Sequence, residues 1–214
     1  MFKVILMVQW KWTRLLLLPA VVVGFALPIL SVQHLDSSEA SWYVIRESAV
    51  WGVWFAAFAG AVGLLVGTSA WMSDHRGGHV YALSLPVERW RYVLLRYGSG
   101  ALLLVAPILS MWIGALLATA SVELQVGLNA YPNSLALRFA LAVFLSYSIF
   151  FAISSGTSRT AGYILTAVGG VVIAELLLNA VGAPAQLIDP LLNGVLNWPG
   201  PLEVFTGRWL LIDV

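Results

Sequence analysis

Residues Tyr97–Ala120 read YGSGALLLVAPILSMWIGALLATA, 24 consecutive positions without a charged side chain. At about 1.5 Å of rise per residue a helix of this length extends about 36 Å, enough to cross a hydrocarbon core about 30 Å thick. The run is apolar around its whole circumference, which a helix tolerates only in lipid or among other buried helices. It lacks the apolar and polar alternation of a membrane barrel strand. The stretch therefore predicts a transmembrane helix.

Working outward, four more runs meet the same criterion: Leu15 to Gln33, Ala49 to Ala70, Leu135 to Ser155 and Ala161 to Val181. The reading is an all-α integral membrane protein with five predicted transmembrane helices. Composition agrees, with 60% apolar residues, 10% charged and a mean hydropathy of +0.90. A water-soluble domain carries about 25% charged residues, so that class is excluded, and disorder with it. The net charge of +1 leaves no basic excess for a row of phosphates, so nucleic acid is not an expected partner. The absence of cysteine removes disulfides, thiolate metal sites and thiol nucleophiles. At this length the expectation is one bundle of membrane helices and no second folded domain.

Orientation follows from the basic residues when successive loops are assigned to alternate sides. With the N-terminus inside, Lys3, Lys11, Arg14, Arg76, Arg89, Arg91, Arg96 and Arg159 fall in the cytoplasm, against Arg46, Arg138 and Arg208 outside. The positive-inside rule then predicts a cytoplasmic N-terminus and, after five spans, an extracytoplasmic segment 182–214. Trp10, Trp12, Trp71 and Trp90 fall near the inner boundary and Trp42, Trp51, Trp198 and Trp209 near the outer one, as interfacial anchors do. The first run is longer than the apolar core of a signal peptide, and Gln33-His34-Leu35-Asp36 is a poor cleavage site, so it reads as a retained span.

Two segments outside the spans carry information. In Met1–Arg14, Lys3, Lys11 and Arg14 share one arc of a helix whose remainder is largely apolar. This fits a helix lying in the cytoplasmic interface, the alternative being the start of the first span. Residues 72–96 form the longest cytoplasmic stretch. Gly77-Gly78 permits a sharp turn, Val80, Leu83 and Val87 recur at helical spacing, and Pro86 breaks the short helix near Leu85. An apolar edge not needed for spanning calls for a cover, either lipid headgroups or a cytoplasmic protein.

Catalytic signatures are missing. The sequence has no Gly-x4-Gly-Lys-Ser/Thr phosphate loop, no His-Glu-x-x-His and no Gly-x-Ser-x-Gly, so no enzymatic activity is expected of this chain. His75 and His79 stand four apart, but Gly77-Gly78 between them disfavours a shared helical face, and the reading is that no metal is bound. Glu175 lies inside the fifth run, where an ionised carboxylate facing lipid costs about 2.5–3.5 kcal/mol. It is either a polar lining of a translocation path or gate, or a carboxylate bonded to a neighbouring helix. Gly60, Gly63 and Gly67 place small faces on the second span where helices approach closely. Pro19, Pro28 and Pro107 predict kinks in the first and third spans.

The run from Asp74 to Arg96, an acid, then Arg-Gly-Gly, then Leu-Ser-Leu-Pro-Val-x-Arg and a basic base to the next span, resembles permease subunits of ATP-binding-cassette transporters of the type-two export class. The resemblance rests on Asp74, Arg76, Gly77, Leu83, Leu85, Pro86, Val87 and Arg89, and an interfacial helix before the first span is a further family trait. Gly78 stands where the family has Thr, and Glu88 where it has Ser. The resemblance implies that this stretch is the coupling helix that docks on a separate ATPase. Its further implications are an ATPase dimer binding ATP and Mg, a second permease subunit, identical or homologous, and the plasma membrane of a prokaryote. The family has six spans, whereas no apolar run of spanning length follows Val181 here. That gap keeps a second reading open, a non-transporting scaffold or accessory subunit of a larger membrane complex.

Overall fold

A computed structural model of the chain describes residues 1–33, 41–72, 74, 88–122, 127–156, 163, 166–167, 170, 173–174, 178, 193–197 and 199–213. Four helices are long and apolar enough to cross a membrane: α1 (Phe2–Val32), α2 (Ser41–Ser69), α3 (Arg89–Ala120) and α4 (Pro132–Ser155). They are joined by a two-stranded pair, β1 (Asn129–Ala130) and β2 (Ile212–Asp213), and a short helix, α5 (Glu203–Thr206), lies between α4 and β2 in sequence. The fifth run falls largely outside the described residues.

Three boundaries differ from the sequence expectation. Met1–Arg14 is not separated from the first span: α1 continues unbroken for 31 residues, about 46 Å. Nothing in that stretch stops a helix, and its polar Gln9 and Thr13 are buried, the Thr13 hydroxyl donating to the Gln9 carbonyl at 2.8 Å. α2 begins eight positions before Ala49 and α3 eight before Tyr97. A hydropathy window ends at the first charges, whereas a helix propagates through them, since Arg, Leu and Tyr all accept helical backbone. Pro19, Pro28 and Pro107 lie within helices that run through them.

The chain forms two compact units, Met1–Phe151 with Arg208–Val214, and Ala152–Gly207. In the first, α1 packs most extensively on α3. The contacts rise together along both sequences, from Gln9 with Ser99 to Val21 with Ser110, so the two helices are parallel. α2 and α4 are parallel too, and α3 opposes α4, as Tyr97 meets Ser148 and Trp112 meets Asn133. Glycine sets the α2–α4 distance: a Cβ on Gly63 would lie 2.7 Å from the Tyr147 nitrogen and Val143 oxygen. Ser146 donates to the Gly60 carbonyl at 2.8 Å across the same contact. The opposite surfaces carry exposed apolar side chains, among them Val22, Val53, Leu102 and Leu137. Only 33–39% of each spanning window is buried within the protein, an outward apolar surface consistent with membrane insertion.

The C-terminal residues return to the end of the bundle where α4 begins. β2 pairs antiparallel with β1, Asn129 opposite Asp213 and Ala130 opposite Ile212, and Tyr131 N–H donates to Leu211 O at 2.9 Å. Trp209, Leu211 and Ile212 are buried. The Trp209 indole lies under the Arg138 guanidinium at 5.7 Å, and Arg138 Nη1 donates to Arg208 O at 3.0 Å. Trp209 is therefore a packing residue and not an interfacial anchor.

In the second unit Gly200 allows a tight turn. Its backbone N–H reaches Asn197 O at 2.5 Å, Leu202 N–H reaches Val195 O at 2.9 Å, and a Cβ would overlap Val195. The Thr206 hydroxyl at the end of α5 donates to Leu196 O at 2.6 Å.

Candidate functional site: a buried polar cluster at the base of α3

Helical spacing places Tyr92 and Arg96 one turn apart on the face of α3 that meets the end of α2. The Arg96 Nε–H donates to Ala70 O at 2.6 Å, so a guanidinium satisfies one of the orphan carbonyls at the C-terminus of α2, where positive charge is favoured. Its Nη1 meets Asp74 Oδ2 at 2.5 Å, with both side chains buried, and the Tyr92 hydroxyl donates to the same oxygen at 3.0 Å. Arg96 Nη1 also contacts the Tyr92 hydroxyl. The guanidinium stacks 5.0 Å from the Trp71 ring and 5.5 Å from the Tyr92 ring. Asp74 is itself positioned by its N–H to Trp71 O at 3.0 Å.

The cluster extends into the other two helices. Ser99, one turn beyond Arg96, bonds Gln9 Oε1 of α1. Trp71 Nε1–H donates to Phe151 O of α4 at 3.1 Å, and Tyr97, Tyr147 and Phe151 complete an aromatic core with centroids 5.1–5.6 Å apart. The Tyr147 hydroxyl donates to Tyr97 O at 2.9 Å. Beside these groups lies a cavity of about 130 Å³ lined by Val4, Ile5, Val8, Gln9, Asp74, Tyr92 and Arg96.

Of the site residues expected from sequence, Asp74 and Arg89 are described. Asp74 is the buried acid of the cluster, and Arg89 is exposed in the first turn of α3. Arg76, Gly77, Leu83, Leu85, Pro86, Val87 and Glu175 lie outside the described residues, as do the three histidines. Sequence reasoning missed Arg96, Tyr92, Gln9 and Trp71 as partners. Arg96 was legible only as a basic residue for orientation, and Trp71 only as an anchor. The available signal was the pair of polar residues four apart, Tyr92 and Arg96, facing an acid at the end of the preceding span.

Chemically the cluster is a set of mutually satisfied polar groups that ties the base of α3 to the end of α2. Its guanidinium and carboxylate are bonded to each other, and no nucleophile paired with a base lies among its described residues. Among the described residues no three His, Cys, Asp or Glu side chains converge as metal ligands. No family model, curated protein or solved structure matches the chain.

Proposed function

We propose that the chain is the membrane-spanning permease subunit of an ATP-binding-cassette exporter, working with separate cytoplasmic ATPases and a second permease subunit. The observation that carries the reading is the placement of Asp74, the acid that opens the motif-bearing stretch, in a buried ion pair with Arg96 at 2.5 Å. The stretch that follows Asp74 thereby leaves from a point anchored to α2 and α3, and exposed Arg89 opens α3 at its far end. Closure of two ATPases on nucleotide would push the coupling helix within residues 76–89. The anchored base would then pass that displacement to α2 and α3 together. Such a push shifts access from one side to the other only if nucleotide binds the two states unequally.

The finer topology belongs to the same proposal. β2 lies beside β1, at the end where α4 starts, while α4 runs to the opposite end. An odd number of crossings between Ser155 and Arg208 satisfies this geometry, which supports a fifth span over Ala161–Val181. The excess of Lys and Arg at the end bearing Lys3, Lys11, Arg89, Arg91 and Arg96 supports a cytoplasmic N-terminus.

Purification in mild detergent, with identification of every co-isolated chain, tests the reading. An ATP-binding-cassette ATPase is expected, and in proteoliposomes Leu83→Ala, Leu85→Ala and Arg89→Ala are expected to leave ATP hydrolysis running while transport falls. Co-isolation with redox or pigment proteins and no ATPase would replace the permease with the scaffold.

A further inference from the structure

We propose that Lys11 and Arg14, about one turn apart on the outward side of α1, hold the phosphate of an anionic phospholipid whose acyl chain lies along Leu15, Leu18 and Val22. This requires α1 to lie in a membrane, and it holds whichever side the N-terminus faces and whether or not the chain is a permease. Three observations carry it.

The first is placement. On a helix Lys11 and Arg14 stand about 60° apart with about 4.5 Å of rise between them. Both are exposed, on the side of α1 turned away from buried Gln9 and Thr13. Leu15, Leu18 and Val22, at 74%, 58% and 67% exposure, continue the same side toward the middle of the helix. Long side chains lean toward the helix N-terminus, so both cationic heads lean toward the level of exposed Trp10, a residue suited to the headgroup zone.

The second is charge. Neither Lys11 nor Arg14 has an ion pair or side-chain hydrogen bond among the described residues. Two acids of this unit belong to this end, Asp74, buried against Arg96, and Glu88, bonded to Arg91 at 2.9 Å. The chain between them holds Arg76 and no acid. The counter-charge for Lys11 and Arg14 therefore comes from outside the bundle.

The third is depth. α1 and α3 are parallel, with Gln9 beside Ser99 and Val21 beside Ser110, so Arg14 stands level with about Leu104. That is about 10 Å past Tyr97, within the uncharged run of α3. On α3 the surrounding levels carry exposed Leu94, Leu102 and Val105. Hydrocarbon covering those side chains leaves two cations beside it, a cost relieved when the bilayer thins locally and a headgroup is drawn in. A zwitterionic head brings its own ammonium against Lys11 and Arg14, whereas an anionic head brings negative charge alone. Attraction of basic residues to anionic lipid thus selects the second.

The test uses the full chain in phosphatidylcholine nanodiscs containing a graded fraction of phosphatidylglycerol with a diazirine beside its head. After irradiation, adducts are mapped by mass spectrometry. They are expected within residues 10–18, displaced by unlabelled phosphatidylglycerol but not by added phosphatidylcholine or by free glycerol phosphate. Lys11→Gln and Arg14→Gln should each raise the phosphatidylglycerol fraction needed for half-maximal labelling about fivefold, and Arg14→Lys should restore most of the loss. Arg91→Gln, at the cation already bonded to Glu88, should leave labelling of residues 10–18 unchanged. The thermal unfolding of every variant is checked first. If neither Gln variant folds, the competition in the unaltered chain decides. Displacement by phosphatidylcholine as effective as by phosphatidylglycerol, labelling unmoved by both Gln variants, or adducts as dense over residues 102–105 would overturn the proposal. So would cross-linking of Lys11→Cys between two copies of the chain with no lipid adduct at residues 10–18.

Discussion

Arg96 joins a helix C-terminus, a carboxylate, a phenol and an indole face, a set that only a planar fork of donors can reach at once. Removing one member of a buried pair leaves the other charged and alone, so Arg96→Met is expected to lower stability by about 3–5 kcal/mol. The double variant Asp74→Leu with Arg96→Met is expected to recover most of that, because neither of these two charges is then left facing the other's vacancy. Unfolding in detergent, followed by tryptophan fluorescence, measures both. Equal losses in the single and double variants would mean that the pair is not what holds the loop base. From the sequence only the four-residue spacing of Tyr92 and Arg96 hinted at this, and Arg96 otherwise reads as one more basic residue beneath a span. Its meaning depends on Ala70, Trp71 and Asp74, which lie 22–26 positions away and are brought to it by antiparallel packing.

The helices themselves were legible, because a helix that crosses lipid must be written as a long apolar run, and α2, α3 and α4 all lie where such runs stand. Their ends were not, since hydropathy marks where lipid ends and not where the backbone hydrogen bonds do. The Gly60, Gly63 and Gly67 row was read as a close-approach face, and α4 lies against it. Gly63→Ala therefore drives a methyl to within 2.7 Å of α4 backbone and is expected to cost about 1–3 kcal/mol, whereas Gly170→Ala, with nothing within 4 Å among the described residues, should cost far less. Thermal unfolding in detergent compares them, and equal behaviour would deny the tight α2–α4 contact. The β1–β2 pair was invisible in sequence, as two-residue strands carry no periodicity. It is easily tested because the chain has no cysteine. Ala130→Cys with Ile212→Cys, a directly opposed pair, is expected to cross-link under mild oxidation and shift on a non-reducing gel, while Ala130→Cys with Leu210→Cys should not.

At the scale of the molecule the bundle is apolar outward as well as inward. Its parallel pairs, α1 with α3 and α2 with α4, are what strict alternation across a membrane demands. The end holding Lys3, Lys11, Arg89, Arg91 and Arg96 also holds the Asp74 cluster. The other end holds the β1–β2 pair, with Arg138 and Arg208. Two exposed positions mark these ends: Glu88, whose side chain is 60% exposed at the start of α3, and Arg208, 80% exposed beside β2. Neither single cysteine variant, Glu88→Cys or Arg208→Cys, competes with a native thiol. With a membrane-impermeant maleimide, Arg208→Cys is expected to react in intact cells and Glu88→Cys only after permeabilisation. The reverse pattern would invert the orientation that the basic residues favour. Reaction of both from one side would place the two ends of α3 on the same face of the bilayer, and the reading of α3 as a span would fail with it.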